Sequence, residues 1–376
     1  MKHLPYGGSS AKRQIMCPGS LAKSEGIAPR PAGEAAITGS MHHEVQEKCR
    51  REDKVPNQML GHPYIEGGVT RTFEPDDLDL ADIMYAATDR VLNDYDIDEF
   101  EIEPFVEFIP GVSGGSIDLL GLSEDHKTIL IHDYKTGTSK VPVEGSEQHG
   151  VYALASRVDS KTKDMWSDVE RVIFVIVQPR IKGVVFQWET DIAWLDKFEK
   201  TYRKAMTLTT INPCSHCKYC PAEPFCEEKR LNIVAANLLG ARHQDELNAA
   251  AAMVVEVLDW CKSIQEEMYL QMLRGVPVPG WKIVNKRATR KWVEGHQFDD
   301  LTDGLISAGL DLDDLYNEVR KTPPQMEKVL KKSKVDFDLN EFIVSISPGT
   351  TIATDDDSRE AVIVSDVQGE LKKMMK

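Results

Sequence analysis

The stretch GGSIDLLGLSEDHKTILIHDYKTGTSKVPVEGSEQHGVY, residues 114–152, decides how the chain is read. Its centre is Asp133-Tyr134-Lys135, which ends the apolar run Ile129-Leu130-Ile131-His132 and reads as a buried strand bounded by turn residues. Side chains alternate along a strand, so Asp133 and Lys135 share one face while Tyr134 takes the other. Upstream, Ser116-Ile117-Asp118-Leu119-Leu120 predicts the preceding strand, and the polar segment Ser123 to Lys127 predicts a hairpin loop. That hairpin brings Asp118 beside Asp133. Two carboxylates and a lysine on neighbouring strands suit metal-assisted phosphodiester cleavage: oxygen ligands hold a hard divalent cation, and the ammonium orients or helps deprotonate the attacking water. Taken alone, Asp-x-Lys at a strand end also describes a solvated strand face.

The order of three pieces adds to this. Gly115 to Leu119, then Asp133-Tyr134-Lys135-Thr136-Gly137, then Gln148 and Tyr152 four residues apart on one helical face, resemble the PD-(D/E)XK nuclease superfamily, in particular the branch of RecB and AddB nuclease domains and CRISPR adaptation nucleases. The resemblance implies an α/β, restriction-endonuclease-like core with a central mixed sheet flanked by helices, spanning residues 1–235. It further implies a deoxyribonuclease of exonuclease type that depends on Mg²⁺ or Mn²⁺. By the same resemblance, Asp118, Asp133 and the Tyr134 carbonyl hold the metal, Lys135 positions the nucleophile, and Gln148 and Tyr152 steady Lys135 or the DNA backbone. Gly39-x-x-x-His43-x-x-x-Glu47 opens a predicted helix and matches a further motif of that branch, which implies His43 as a ligand with Glu47 nearby. His42 competes for that role, and a surface histidine pair on an amphipathic helix is the alternative without a metal. Phe100 to Phe108 predicts one sheet strand whose Glu103 and Glu107 form a wet edge outside the site.

A chain of 376 residues is long enough for a sizeable core and suggests two domains. Hydrophobic residues at 41% and charged residues at 28% place it among ordinary globular proteins. No apolar run approaches membrane-spanning length and no leader pattern opens the chain, so the expectation is a cytoplasmic protein without a membrane partner. The net charge of −16 excludes a uniformly basic nucleic-acid coat, so a nuclease built this way concentrates positive charge along the path of the phosphates.

Cys214, Cys217, Cys220 and Cys226 fall within thirteen residues of a chain holding seven cysteines. In a reducing compartment this pattern points to a metal, and thiolates select zinc or an iron–sulfur cluster. Zn²⁺ needs only the four cysteines of this loop, or three with His216. The resemblance implies instead a [4Fe–4S] cluster held by Cys17, Cys217, Cys220 and Cys226, which closes a loop of about two hundred residues and constrains the unfolded chain. Cys17 and Cys214 remain rivals for the fourth position. Cys49 and Cys261 read as buried helix residues.

A long amphipathic helix from Leu247 to Met272 ends near Gly275, and Val276-Pro-Val-Pro-Gly280 marks a break. The region 236–376 is expected to be mainly helical. Trp281 to Trp292 carries Lys286, Arg287, Arg290 and Lys291 without an acid, and two readings stay open: contacts to phosphates and unpaired bases, or a hairpin with a solvated basic face and core-facing tryptophans. The motif order and this segment also resemble a phage and prophage nuclease-like family, which implies DNA and phage recombination or replication proteins as partners. The competing class is a catalytically inactive nuclease-fold protein for DNA binding or phage assembly, with a structural zinc site.

Overall fold

Strands Thr128–Tyr134 and Arg171–Val177 pair in parallel, with Asp133 opposite Ile176. The first is buried at every residue and the second at all but Arg171, so both read as continuous apolar runs rather than alternating ones. They form the middle of a five-stranded mixed sheet in the computed structural model, which describes residues 4–27, 33–66, 68–237, 244–293, 299–315, 322–347, 349–354 and 359–362. Leu119–Ser123 and then Ile97–Ile102 extend the sheet on one side, and Val185–Asp191 on the other, each antiparallel to its neighbour. Val185–Asp191 alternates half-buried with exposed residues along most of its length, as an edge strand does.

Helices cover both faces. Helices Glu147–Val158 and Ile192–Thr207 bring Val151, Leu154, Leu195 and Phe198 against the side carrying Ile129, Ile131 and Phe174. Pro75–Asp94 brings Met84, Ala87 and Val91 against Leu119, Leu130, Ile173 and Val175 on the other. Asp76, Asp89 and their acidic neighbours belong to this one helix, whose apolar stripe packs inward. The fold of this part is therefore mixed α/β with a sheet between helices.

The two strands expected at 100–108 and 116–120 are each broken. Pro104 has no N–H to give a ladder, and the chain leaves the edge of the large sheet after Ile102 and enters a smaller one at Phe105–Ile109. It returns through Ser113–Ser116 and re-enters the large sheet at Leu119. The two crossings touch: the Glu103 N–H donates to the Asp118 carbonyl at 3.1 Å, and the Ile117 N–H to the Pro104 carbonyl at 3.2 Å. Glu103 takes a left-handed backbone, φ +49°, which is uncommon for a residue with a side chain. Tyr6–Gly7 completes the small sheet beside Ser113–Ser116.

The chain divides into two compact units, 1–257 and 258–376, the division falling inside the helix Gln244–Leu273. The second unit carries short strands beside its helices. Its helices Asp299–Ser307, Leu312–Leu315 and Pro323–Ser333 gather Leu301, Leu305, Leu315, Met326 and Leu330 into a core of their own. Trp281–Asn285 and Thr289–Trp292 are strands but do not pair with each other: the first pairs with Thr350–Thr354 and the second with Ile343–Ile346. Cys49 is buried as expected, whereas Cys261 is exposed. Among the described residues no helix is long and apolar enough to cross a membrane.

Candidate metal and catalytic site

The hairpin register sets Leu119 opposite His132, which leaves Asp118 level with the end of the central strand. There the Tyr134 N–H donates to Asp118 Oδ2 at 2.5 Å. The Lys135 N–H donates to the Val177 carbonyl, carrying the ladder one residue past Tyr134 and fixing the lysine on the Asp133 face. Its Nζ lies 2.5 Å from Asp133 Oδ2. Gln148 Nε2 donates to Asp133 Oδ1 at 2.8 Å and reaches the Tyr152 hydroxyl at 3.2 Å. Ser146 caps this helix through the His149 N–H, and His149 Nε2 meets the Val175 carbonyl at 3.1 Å, so the helix is held against the strand beside Asp133. Tyr152 sits in a slot made by glycines: a Cβ at Gly8 would lie 2.4 Å from its ring and one at Gly115 3.0 Å. Burial pushes the Tyr152 phenol well above its ordinary range, so it stays protonated.

Helix Glu34–Arg51 crosses the same end of the sheet. Gly39 permits the crossing, since a Cβ there would stand 2.8 Å from Thr136 Oγ1. One turn on, His43 Nδ1 lies 3.2 Å from Asp118 Oδ1, with 20% of the imidazole exposed. Burial alone would lower the His43 pKa, but the Asp118 carboxylate outweighs it and holds the value up at about 9. Burial likewise pushes Asp118 upward, and the charge and hydrogen bond of His43, with the Tyr134 N–H, bring it down to about 2.

The third group here is Glu103. Ligand atoms of His43, Glu103 and Asp118 lie within 4.8 Å of one another, the one such His, Cys, Asp or Glu grouping among the described residues. Burial, then the Asp118 charge, pushes the Glu103 carboxyl up to about 8. At neutral pH these shifts keep protons on His43 and Glu103 while Asp118 is ionised, so the trio carries little net charge, and a hard divalent cation would take the place of the two protons. Sequence reading set Glu103 aside as the wet face of one long strand. The signal that finds it is Pro104: a proline inside an apparent strand marks a break, and the break sets residue 103 at a corner beside Asp118.

His42 faces away. It packs against Phe73, stands 3.6 Å from Asp77, and burial lowers its pKa to about 4. Glu47 pairs with Arg51 at 2.9 Å. Behind the central strand, Thr88 Oγ1 joins His132 Nε2 at 3.1 Å and the Tyr134 hydroxyl at 2.9 Å, so both side chains on the far face of the strand are anchored.

Cys17, Cys214, Cys217, Cys220 and Cys226 line one cavity. The Asn212 N–H donates to Cys17 Sγ at 3.2 Å, the Gly19 N–H to the Thr210 carbonyl at 2.9 Å, and Arg13 Nη1 to the Tyr219 carbonyl at 2.5 Å, which stitches the amino-terminal segment to the cysteine loop. A hydrogen bond with Cys217 brings Cys214 down to about 7 against the effect of burial, while burial raises Cys17. No three cysteine sulfurs among the described residues lie within 4.8 Å of one another.

Lys286 and Arg287 are exposed between the strands Trp281–Asn285 and Thr289–Trp292. The side chains of Arg290 and Lys291 lie outside the described ones.

A family model described as "Protein of unknown function (DUF2800)" matches residues 3–360. Among solved structures, an alkaline exonuclease from Laribacter hongkongensis is similar at 14% identity and a TM-score of 0.23, over 54% of this chain and 87% of that one. Protein VC1899 from Vibrio cholerae is similar at 12% identity and a TM-score of 0.18, over 53% of this chain and 55% of that one.

Proposed function

The chain belongs to the DUF2800 family, and from that premise we propose that residues 1–235 form a PD-(D/E)XK-type nuclease core that hydrolyses phosphodiester bonds in DNA with Mg²⁺ or Mn²⁺. The observation that carries this is the meeting of His43, Glu103 and Asp118 within 4.8 Å beside the Asp133–Lys135 pair. His43, Glu103, Asp118 and Asp133, with the Tyr134 carbonyl, would hold the cation, which when bound polarises the scissile phosphate and lowers the pKa of a bound water. Lys135 aims and holds the attacking water, and its charge offsets that of the phosphate. Gln148 occupies one oxygen of Asp133 and leaves the other facing Lys135, so the carboxylate keeps a single orientation. Tyr152 meets the Gln148 amide and fixes its position.

The test is cleavage of end-labelled single-stranded and duplex DNA with Mn²⁺. Asp118→Ala, Asp133→Ala and Lys135→Ala are each expected to abolish cutting while the circular dichroism spectrum is retained. Activity in the Lys135 variant would remove it from the mechanism. Failure of the parent protein to cut linear, nicked, circular or single-stranded DNA would favour a nucleic-acid-binding protein instead. Products released from one end would identify an exonuclease.

We further propose that Cys17, Cys217, Cys220 and Cys226, which line one cavity with Cys214, hold a [4Fe–4S] cluster, with Zn²⁺ on the 214–226 loop as the alternative. Such a cluster would tie residue 17 to the end of the nuclease core without taking part in cleavage. Lys286, Arg287, Arg290 and Lys291 would add phosphate contacts from the second unit.

A further inference from the structure

On the edge strand Val185–Asp191, Phe186 borders an open cleft of about 550 Å³ that it shares with Lys140, Val143, Glu144, Gln187 and Trp188. Register places this cleft relative to the candidate site. Asp133 is level with Ile176, and Ile176 with Phe186, so the three stand in one row across the sheet. Partners in such a row share a face, and two strand spacings separate Phe186 from Asp133 by roughly 10 Å. The next row agrees, because Trp188 meets Phe174 at 5.5 Å on the face that carries Ile131. The segment running from Lys135 to Ser146 leads from the central strand to the Gln148 helix, and Lys140 on it sets its Nζ 4.4 Å from the centre of the Phe186 ring.

That segment is held rather than left loose. Gln178 is fully buried; its Nε2 donates to the carbonyls of Gly137 at 2.9 Å and Ser139 at 2.8 Å, and its Oε1 accepts from the Val141 N–H at 3.1 Å. Lys140 is exposed and forms no ion pair among the described residues. Glu144 is the one acid on the cleft lining. Lys140 is thus the cation set against the half-buried Phe186 ring, in a chain of net charge −16.

We infer that this cleft is a subsite for an unpaired nucleotide of single-stranded DNA next to the cleaved phosphate: the base stacks on Phe186 and Lys140 pairs with the phosphate of the same nucleotide. A base in a duplex cannot offer its face to the ring, so the subsite selects single strands. The inference rests on the nuclease reading for the position of the cleaved bond, whereas binding in the cleft does not.

Fluorescence anisotropy in EDTA, with a labelled single strand of about a dozen nucleotides, a length suited to common single-strand sites, reads binding without cutting. Phe186→Leu is expected to weaken the affinity roughly tenfold, the usual worth of one base–aromatic stack, and Phe186→Tyr to retain it. Lys140→Gln should lower the salt slope by about 0.7, one phosphate contact, and Glu144→Gln should tighten binding. Phe100→Leu, an exposed aromatic on the opposite edge strand Ile97–Ile102, should change nothing. Unaltered affinity in both Phe186→Leu and Lys140→Gln, an equal loss in Phe100→Leu, or a parent protein without affinity for single strands would overturn the subsite. A parent protein that binds in a Phe186-dependent way yet cuts nothing with Mn²⁺ would leave the subsite standing and sink the nuclease reading.

Discussion

Metal-free protein should lose stability as the pH rises from about 6 to about 9.5, and His43→Gln should remove part of that loss, chiefly the part above pH 8. The His43 pKa is held at about 9 in the fold against 6.5 for a free imidazole, because the Asp118 carboxylate 3.2 Å away outweighs the cost of burial. A folded value above the unfolded one means stabilisation that is complete below pH 6.5 and disappears as the pH climbs through about 9. That interval, at about 1.4 kcal/mol per pH unit, amounts to about 3 kcal/mol. Glu103, raised to about 8 from 4.5, acts in the same sense between those values. It shares the field of Asp118, so its contribution overlaps that of His43 and the two are not summed. Asp118 runs the other way: held at about 2 against 3.8, it stabilises above pH 3.8 and stops doing so as the pH falls through about 2. The trio therefore favours the metal-free fold most near pH 4 to 5.

A divalent cation reverses the trend, since ligands must shed their protons to bind it. Mn²⁺ should stabilise the protein more at pH 8 than at pH 6, and titration calorimetry in two buffers of different ionisation enthalpy should register proton release. Urea unfolding followed by circular dichroism, in EDTA and in Mn²⁺, measures both effects. Equal pH slopes in the parent and His43→Gln proteins, or Mn²⁺ binding without proton release, would refute the argument.

Glu103→Gln should weaken Mn²⁺ binding by about tenfold or more with the fold intact, whereas Glu107→Gln should not, and calorimetry separates them. Gly39→Ala should cost about 1–3 kcal/mol in urea unfolding, because its Cβ would stand 2.8 Å from Thr136 Oγ1 and the turn after Lys135 must give way. Protein purified without oxygen should be brown; Cys17→Ser should bleach it as Cys226→Ser does, while Cys214→Ser keeps its iron. Full iron content in Cys17→Ser would make Cys214 the fourth ligand.

Much of the arrangement around Asp133 was legible because the distances involved are short along the chain. A period of two sets Asp133 and Lys135 on one face, a hairpin sets Asp118 next to Asp133, and a helical step of four sets Gln148 with Tyr152. The central strands Thr128–Tyr134 and Arg171–Val177 were equally plain, since burial on both faces leaves unbroken apolar runs. Glu103 was lost because its position depends on where a strand changes sheets, and alternating residues on either side of Pro104 imitate one continuous strand. In the second unit, Trp281–Asn285 looked like half of a local hairpin, but its partner begins at Thr350. No turn sets that register, so nothing close in sequence announces it.

The seam between the amino terminus and the cysteine loop has a consequence in time. Arg13, Cys17 and Gly19 take their partners from Tyr219, Asn212 and Thr210. A ribosome adding about 5–20 residues per second needs roughly 10 to 40 s to supply those partners. For that interval the bonds of Arg13, Cys17 and Gly19 to the cysteine loop are unmade, while the strands that carry Asp118 and Asp133 are already complete. A chain stalled before residue 210 would thus carry every side chain of the candidate site and still lack the closure of its own first segment, which makes that segment the natural place for a protease or chaperone to distinguish finished copies from unfinished ones.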